Sequence, residues 1–301
     1  MSVTISVVIP AWNRADHIGA CLESVLAQTH AVDEVIVVDD ASVDATVAVV
    51  EGIRDPRIRC VKLERNGGAQ AARNAGISAA RCDWIAFQDS DDLWLPEKIE
   101  RQVEVIKQHG GSSDLVVHGD ALMAGVGPEL VRISTDGYEG DCLDRLLRRA
   151  GPMFQCLLTS RSALERIGLL DQECPSYQEW DTAIRLATIC QFARTEVPLM
   201  IWRRHEGNAI SNDRLRELHG YDYVVDKHRS LILARLGRKA LNFHKLTNAM
   251  RAMECGMRQE ASRILVSAQS ASLGYRLARL AIRAGLPIRR MEKGLRVLGR
   301  M

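Results

Sequence analysis

The eight cysteines of this 301-residue sequence include no Cys-x-x-Cys pair. Cys21, Cys60, Cys82, Cys142, Cys156, Cys174, Cys190 and Cys255 are dispersed, which argues against a zinc ribbon or a disulfide frame. Such thiols fit a reducing compartment better. No apolar run is long enough to span a bilayer. Val3–Ile9 runs straight into Pro10, without the basic region and small-residue cleavage site of a signal peptide, so a cytoplasmic protein is expected. No Gly-x-Gly-x-x-Gly follows the first apolar run and no Gly-x-x-x-x-Gly-Lys occurs. A dinucleotide fold and a P-loop both lose support on that ground. The net charge of +2 favours no partner class, and no nucleic-acid partner is expected.

What is present is a hydrophobic content of 47%, ample for one large domain or two modest ones. Charge is unevenly spread. Arg258–Met301 holds ten Lys/Arg against two Asp/Glu, which leaves the rest of the chain net acidic. That asymmetry suggests a tail facing an anionic surface and a body able to hold a metal. The first third alternates strand and helix patterns. Val3–Ile9, Glu34–Val38, Ile58–Leu63 and Trp84–Phe87 read as short buried strands. Asp16 is a candidate cap for a helix with Ile18, Leu22, Val25 and Leu26 on one face, and Ser42 or Asp44 for a helix through Val50. Ala69–Ala80 is a helix of small residues, suited to close packing on a sheet. Pro96 is expected at the first position of a helix running to His109, with Glu97 at its positive end.

Four such units predict an α/β fold with a mostly parallel sheet covered on both faces. In these sheets ligands bind beyond the carboxyl ends of the strands. Pro10–Asn13, Asp39–Ser42, Asn66–Gly68 and Asp89–Asp92 all fall at those ends. The middle of the chain mixes helices with short strands at Leu115–Val117, Leu130–Ile133, Gln155–Leu158 and Leu199–Trp202. From Leu215 onward the pattern is helical, broken near Gly237, Gly256, Gly274 and Gly285. The expected organisation is a nucleotide-binding half at 1–120, a second half of the same domain at 121–214 and a helical region at 215–301.

Trp84–Trp94 carries the chemistry. Its apolar run ends in Asp89, Ser90, Asp91 and Asp92, and unpaired burial of these carboxylates costs several kcal/mol each. Either the loop is a solvated acidic turn or something positive sits there. A hard cation such as Mg2+ or Mn2+ suits oxygen ligands, with phosphates completing its shell. Trp12 offers a stacking face for a base, worth roughly 1–3 kcal/mol, or is a half-buried loop aromatic. Asp39 and Asp40 can accept the N–H groups of a base, or serve as turn and cap residues. Arg73 and Asn74 can meet phosphate, or pair with Asp39. Cys82 and His109 read as structural.

The segments VVIPAWNR, EVIVVDDASVDAT, NGGAQAARNAGI and WIAFQDSDDLWLPEKIERQ, in this order and spacing, resemble the inverting family 2 glycosyltransferases of GT-A fold. The likeness covers about 3–102 and returns at ALERIGLLD, PSYQEWDTAIRLA and WRRHEGNAIS. The resemblance implies a GT-A-like nucleotide-binding sheet with a mixed acceptor-side half and a helical tail. It implies a nucleotide-sugar donor, a UDP-sugar foremost, and a saccharide or lipid-linked acceptor of bacterial surface polysaccharide. Trp12 would stack on the donor base, with Pro10, Ala11 and Asn13 shaping the loop. Asp40, with Asp39 behind it, would bind base or ribose, and Arg73 would face the donor. Asp89-Ser90-Asp91 would be the Asp-x-Asp element, with Asp91 the direct metal ligand and Asp89, Asp92 and His205 around the metal.

Inversion needs a base that takes the acceptor proton on the face opposite the leaving diphosphate. In the resembling family it stands in a Glu-Asp-like pair at a helix start. Here Gln178-Glu179 occupies that place, so Glu179 is the expected base and Asp181 the reserve, with Arg185 pairing with an acid of that helix. Glu179 also suits a first helical turn on dipole grounds alone. Arg203 and Arg204 can offer charge to phosphate or form a surface pair. The tail has amphipathic spacing that suits peripheral contact with an anionic membrane, or packing on the body. Two other classes stay open: a sugar nucleotidyltransferase, which a basic glycine-rich loop would favour, and a catalytically silent nucleotide-sugar binder.

Overall fold

The computed structural model describes residues 3–124, 129–203, 213–267 and 280. The first part of the chain forms β1 (Ile5–Ala11), α1 (Ala15–Leu26), β2 (Glu34–Asp39), α2 (Thr46–Gly52), β3 (Ile58–Lys62), α3 (Ala69–Ala79) and β4 (Trp84–Phe87). Then come β5 (Leu93–Trp94), α4 (Lys98–Gln108), β6 (Leu115–Ala124), β7 (Leu130–Ile133), α5 (Leu143–Leu146), a 3-10 turn at Phe154–Cys156, β8 (Leu158–Ser160), α6 (Arg161–Arg166), α7 (Gln178–Ala187) and β9 (Gln191–Arg203). The remainder is α8 (Arg214–Lys227), α9 (Arg229–Glu254) and α10 (Arg258–Ser267).

The strands form one sheet in the order β3-β2-β1-β4-β8-β6-β9-β5, with β7 on β6. As the alternating pattern predicts, β1, β2, β3 and β4 are parallel. The rest is mixed: β8 runs antiparallel to β4 and β6, and β9 runs parallel to β6. The chain steps outward from β1 to β3 and then returns to the other side of β1 as β4. That reversal opens the crevice in which open α/β sheets bind ligands, between the loops after Ala11 and Phe87. All six residues of β2 are buried, as a parallel strand covered on both faces requires. On one face Val7, Ile9, Val35 and Val37 join Ile18, Leu22, Val103 and Ile106 in the main core.

The chain divides into two compact units. One comprises Met1–Leu146, Gly151–Gln172 and Glu179–Glu206, and so contains the whole sheet. The other comprises Leu147–Ala150, Glu173–Gln178 and Gly207–Met301. Among its described residues Leu218, Ala249, Ala252, Ala261, Ile264 and Leu265 form its own core. The buried Lys245 ammonium there bonds Asp222 and Asp226, both at 2.7 Å. The expected break at Gly237 is real, with φ 77° interrupting α9, and Gly256 ends it at φ 74°. No helix of the described residues is long and apolar enough to cross a membrane. Gly274, Gly285 and most of the amphipathic tail lie outside the described residues.

Three expectations need correction. Gln155–Leu158 is not a strand: Phe154–Cys156 is a 3-10 turn and the strand is Leu158–Ser160. Gln155 turns inward to carboxylates instead of alternating on a sheet face. Pro96 is not a first helical residue. Leu93–Trp94 pairs with β9, and the Leu95 amide bonds Leu199 O at 3.0 Å, so the chain stays extended to that point. A turn closed by the Lys98 amide on Leu95 O (3.1 Å) follows, and α4 begins at Lys98. Asp16 does not cap α1 but lies in its first turn. The Ala15 amide donates to Asp44 at 3.1 Å, from the loop before α2.

The small residues of α3 bring it against the sheet. A Cβ on Gly76 would stand 2.4 Å from Val8 Cγ1 and 3.2 Å from Val38 Cγ2. Alanine in place of a helical glycine gains up to about 1 kcal/mol of propensity, whereas overpacking costs about 1–3 kcal/mol. Gly76→Ala is therefore expected to lower the denaturant midpoint of unfolding. A raised midpoint would mean that α3 does not lie this close to β1 and β2.

Candidate active site

The loop after β1 carries Pro10, Ala11, Trp12, Asn13 and Arg14. Trp12 is 46% exposed, an open indole face at the crevice. Asn13 has φ 52°, in the left-handed region that asparagine tolerates. Its amide N–H donates to Ser42 Oγ at 2.9 Å and its Oδ1 accepts from the Val43 amide at 2.9 Å. Asn13 thus latches the first loop to the second and has a structural task beyond shaping the donor loop.

Asp39 and Asp40 differ in their partners. Asp40 Oδ1 accepts from the Gly67 amide (2.7 Å) and Oδ2 from the Gly68 amide (2.8 Å). It organises the Asn66–Gly68 loop, where Gly68 takes φ 83° and the Asn66 side chain donates to Asp40 O at 3.2 Å. Asp39 Oδ2 accepts from the Ser42 amide at 3.1 Å, while its Oδ1 is buried with no hydrogen-bond partner. The unused acceptor therefore belongs to Asp39. Asn74, offered for phosphate, instead trades two bonds with the Leu170 backbone, at 2.8 and 2.9 Å.

The acidic loop gathers its own counter-charges. Arg73 is 5% exposed and pairs with Asp89 rather than Asp39, its Nη2 donating to Asp89 Oδ1 at 2.6 Å. Its Nη1 donates to Gln70 Oε1 at 2.8 Å, and its guanidinium lies 4.5 Å from the centre of the Phe154 ring. Asp89 Oδ2 and Asp92 Oδ2 share the Gln155 amide, at 2.5 and 2.8 Å. Asp92 Oδ1 accepts from the Arg203 amide at 2.9 Å, and Arg203 Nε donates to Asp91 O at 2.7 Å. Arg203 thus braces the loop backbone, a different task from the phosphate contact considered above. Ser90 and Asp92 are buried. Burial, and then the charge of Asp89, push the Asp92 carboxyl up to about 8. Asp89 and Asp91 both keep some exposure, 29% and 21% of their side chains, and Asp91 Oδ2 lies 3.3 Å from Arg14 Nε.

Among the described residues no three His, Cys, Asp or Glu side chains converge into a metal cage. Asp89 and Asp92, expected around the metal, are turned to Arg73, Gln155 and Arg203. His205 and Arg204 lie outside the described residues. The donor set still fits one kind of ion: the part-exposed carboxylates of Asp91 and Asp89 suit a hard cation whose remaining ligands are phosphate and water oxygens.

Glu179 and Asp181 part company on α7. Asp181 is fully buried, with Arg185 Nε 2.9 Å from Oδ2. Arg185 Nη1 also donates to the Ile167 and Leu169 carbonyls, at 2.9 and 2.6 Å. Asp181 therefore ties α7 to the loop after α6, with its side chain fully buried. Glu179 is half-buried, and desolvation raises its carboxyl pKa above the ordinary value. The charges that act on it are those of Arg73, which lowers it, and Asp89, which raises it. Glu179 thus shares an electrostatic neighbourhood with the acidic loop. Phe154, Gln155 and Arg14 belong to the site without having been singled out in the sequence. Gln155 sits in a run that reads as apolar strand, and only the sheet order brings it to Asp89.

Residues 6–128 match the family model of glycosyl transferase family 2. The succinoglycan biosynthesis protein ExoO of Rhizobium meliloti is 51% identical over 100 residues, 33% of this chain and 29% of that protein. The UDP-Glc:alpha-D-GlcNAc-diphosphoundecaprenol beta-1,3-glucosyltransferase WfaP of Escherichia coli is 38% identical over 40% of this chain and 50% of its own length. The chain thus spans half or less of these two relatives. Among solved structures, S. aureus TarS 1-349 in complex with UDP-GlcNAc aligns over 94% of this chain and 93% of its own, with a TM-score of 0.68 at 18% identity. The mannosyltransferase PcManGT from Pyrobaculum calidifontis, in complex with GDP-Man and Mn2+, aligns over 97% and 87% with a TM-score of 0.58 at 16% identity. Sheet, crevice and family match agree: residues 6–128 match glycosyl transferase family 2, and the fold is of the GT-A type seen in TarS.

Proposed function

We propose that the protein transfers a sugar, with inversion, from a nucleotide sugar to a hydroxyl of a saccharide or lipid-linked acceptor. The observation that carries this reading is the crevice at the strand ends, where the acidic loop, with Arg73 on Asp89, meets the exposed Trp12 loop through Arg14 on Asp91. Trp12 gives the base a stacking surface and the unused Asp39 oxygen gives it an acceptor, which suits the imide N–H of uracil. A UDP-sugar is accordingly the first donor to test, in keeping with the names of WfaP and the TarS complex. Surface-polysaccharide assembly on a lipid-linked saccharide is the setting that the named relatives support.

In the transfer step Glu179 takes the proton of the acceptor hydroxyl as that oxygen bonds to the anomeric carbon. The bond from that carbon to the diphosphate breaks, and the nucleoside diphosphate leaves with the electron pair. Asp91 would hold Mg2+ or Mn2+, which when bound supplies Lewis-acid stabilisation of the leaving group. Asp89 and Arg73 set the field around Glu179, and Asp92 and Arg203 fix the loop from which Asp91 projects.

Glu179→Gln is expected to lower kcat by about 10²–10⁴-fold, the usual contribution of a positioned base, with donor binding retained. The base works deprotonated, so the wild-type rate falls as pH drops through its folded-state pKa. Because that pKa is raised, the acid limb of kcat/KM should stand above the ordinary glutamate value of about 4.3. An unchanged rate in the variant, or a limb at the ordinary value, removes Glu179 as the base.

Asp181→Asn should act differently, destabilising the fold by about 3–5 kcal/mol because it strands Arg185. Denaturant melts check this, and a variant as stable as wild type with no activity would give Asp181 a part in the chemistry instead. Asp91→Ala should reduce Mn2+-supported turnover about a hundredfold or more, since Lewis-acid help is worth several kcal/mol. Undiminished turnover would refute the assignment of the cation to Asp91.

A further inference from the structure

We propose that Gln155 is a positioning residue for the acidic loop: its one amide nitrogen, bonded to both Asp89 and Asp92, fixes the spacing of those two carboxyl groups and with it the place of Asp91 between them. This inference rests on the reading of a cation and a donor diphosphate at Asp91. Gln155 is 5% exposed, and its Nε2 lies 2.5 Å from Asp89 Oδ2 and 2.8 Å from Asp92 Oδ2. A primary amide has two N–H bonds, one for each carboxylate. Both acceptors being carboxylates fixes which end of the amide points at them.

The holder is itself held. Phe154 is wedged between the Phe87 ring, 5.3 Å away centre to centre, and the Arg73 guanidinium. The Cys156 amide closes the turn on Met153 O at 3.0 Å, and the Leu157 amide bonds Phe154 O at 2.9 Å. Cys156 O in turn accepts from Gln102 Nε2 at 2.9 Å, so α4 anchors the turn from behind. One short turn thereby sets Arg73 through Phe154 and two aspartates through Gln155. Asp89 keeps Arg73 if the amide is lost, but Asp92, 2% exposed, keeps only the Arg203 amide. Two carboxyl groups 63 and 66 residues from Gln155 in sequence are thus spaced by a single neutral group. A donor at this position restrains both carboxylates without competing with a cation for them, which a lysine or arginine would do.

The test is calorimetric titration of UDP into wild type and Gln155→Met, each with Mn2+ and with chelator. Methionine matches the length and volume of glutamine and removes both N–H donors. In wild type, Mn2+ should tighten UDP binding. In the variant, UDP affinity under chelator should stay within about twofold of wild type, because Trp12 and Asp39 are untouched, while the Mn2+-dependent gain falls about tenfold or more. If Gln155→Met does not fold, Gln155→Leu, which removes the donors without adding a charge or a cation ligand, supplies the same comparison. A variant with the full Mn2+-dependent gain overturns the positioning role and leaves the proposed function standing. Equal loss of UDP affinity with and without Mn2+ would reduce Gln155 to general support of the fold and overturns the proposal too. No Mn2+-dependent gain in wild type overturns the cation reading and this inference with it.

Discussion

The structure turns on the neutralisation of one loop. Asp89, Asp91 and Asp92 follow a buried strand, and bringing them so close is tolerable because a separate group answers each and burial favours the protonated form of Asp92. Arg73 meets Asp89, Arg14 meets Asp91, and Gln155 with the Arg203 amide meets Asp92. These partners come from α3, the loop after β1, the 3-10 turn and the end of β9. Buried ions are retained where partners are arranged around them, and removal of a partner is costly. The acidic loop is therefore the point at which distant stretches of the first unit must agree in position.

The sheet order supplies that agreement. The return of β4 beside β1 places the acidic loop next to Trp12 and Arg14, and the antiparallel β8 lays the Phe154–Cys156 turn against β4. The antiparallel pairing of β5 with β9 delivers Arg203 to the same loop. Parallel strands thus carry the loops after Ala11 and Asp39, and the mixed strands bring across the groups that steady the acidic loop.

The parallel half was legible because buried strands and amphipathic helices leave a periodic trace, and strand ends mark the crevice. Orientation of single polar residues was not. Asp39 and Asp40 are adjacent at a strand end, so they point to opposite sides, and only the placement of Gly67 and Gly68 decides which one is consumed. Glu179 and Asp181 stand two apart on a helix, on different faces, and the packing of α7 decides that Asp181 is the fully buried one. Pro96 read as a helix start because its context is right for one, yet pairing of Leu93–Trp94 with β9 overrode that local preference. Gln155 had no local signal, since its meaning lies in contacts made across the sheet.

The Asp40 carboxylate, closed on the amides of Gly67 and Gly68, has a further effect. Together with the Asn13–Val43 bond, it joins the connectors after the first three strands into one stitched rim. Ordering a backbone residue costs roughly 1–2 kcal/mol of entropy, and here that cost falls during folding. A small molecule arriving at the rim meets a surface whose freedom has already been spent.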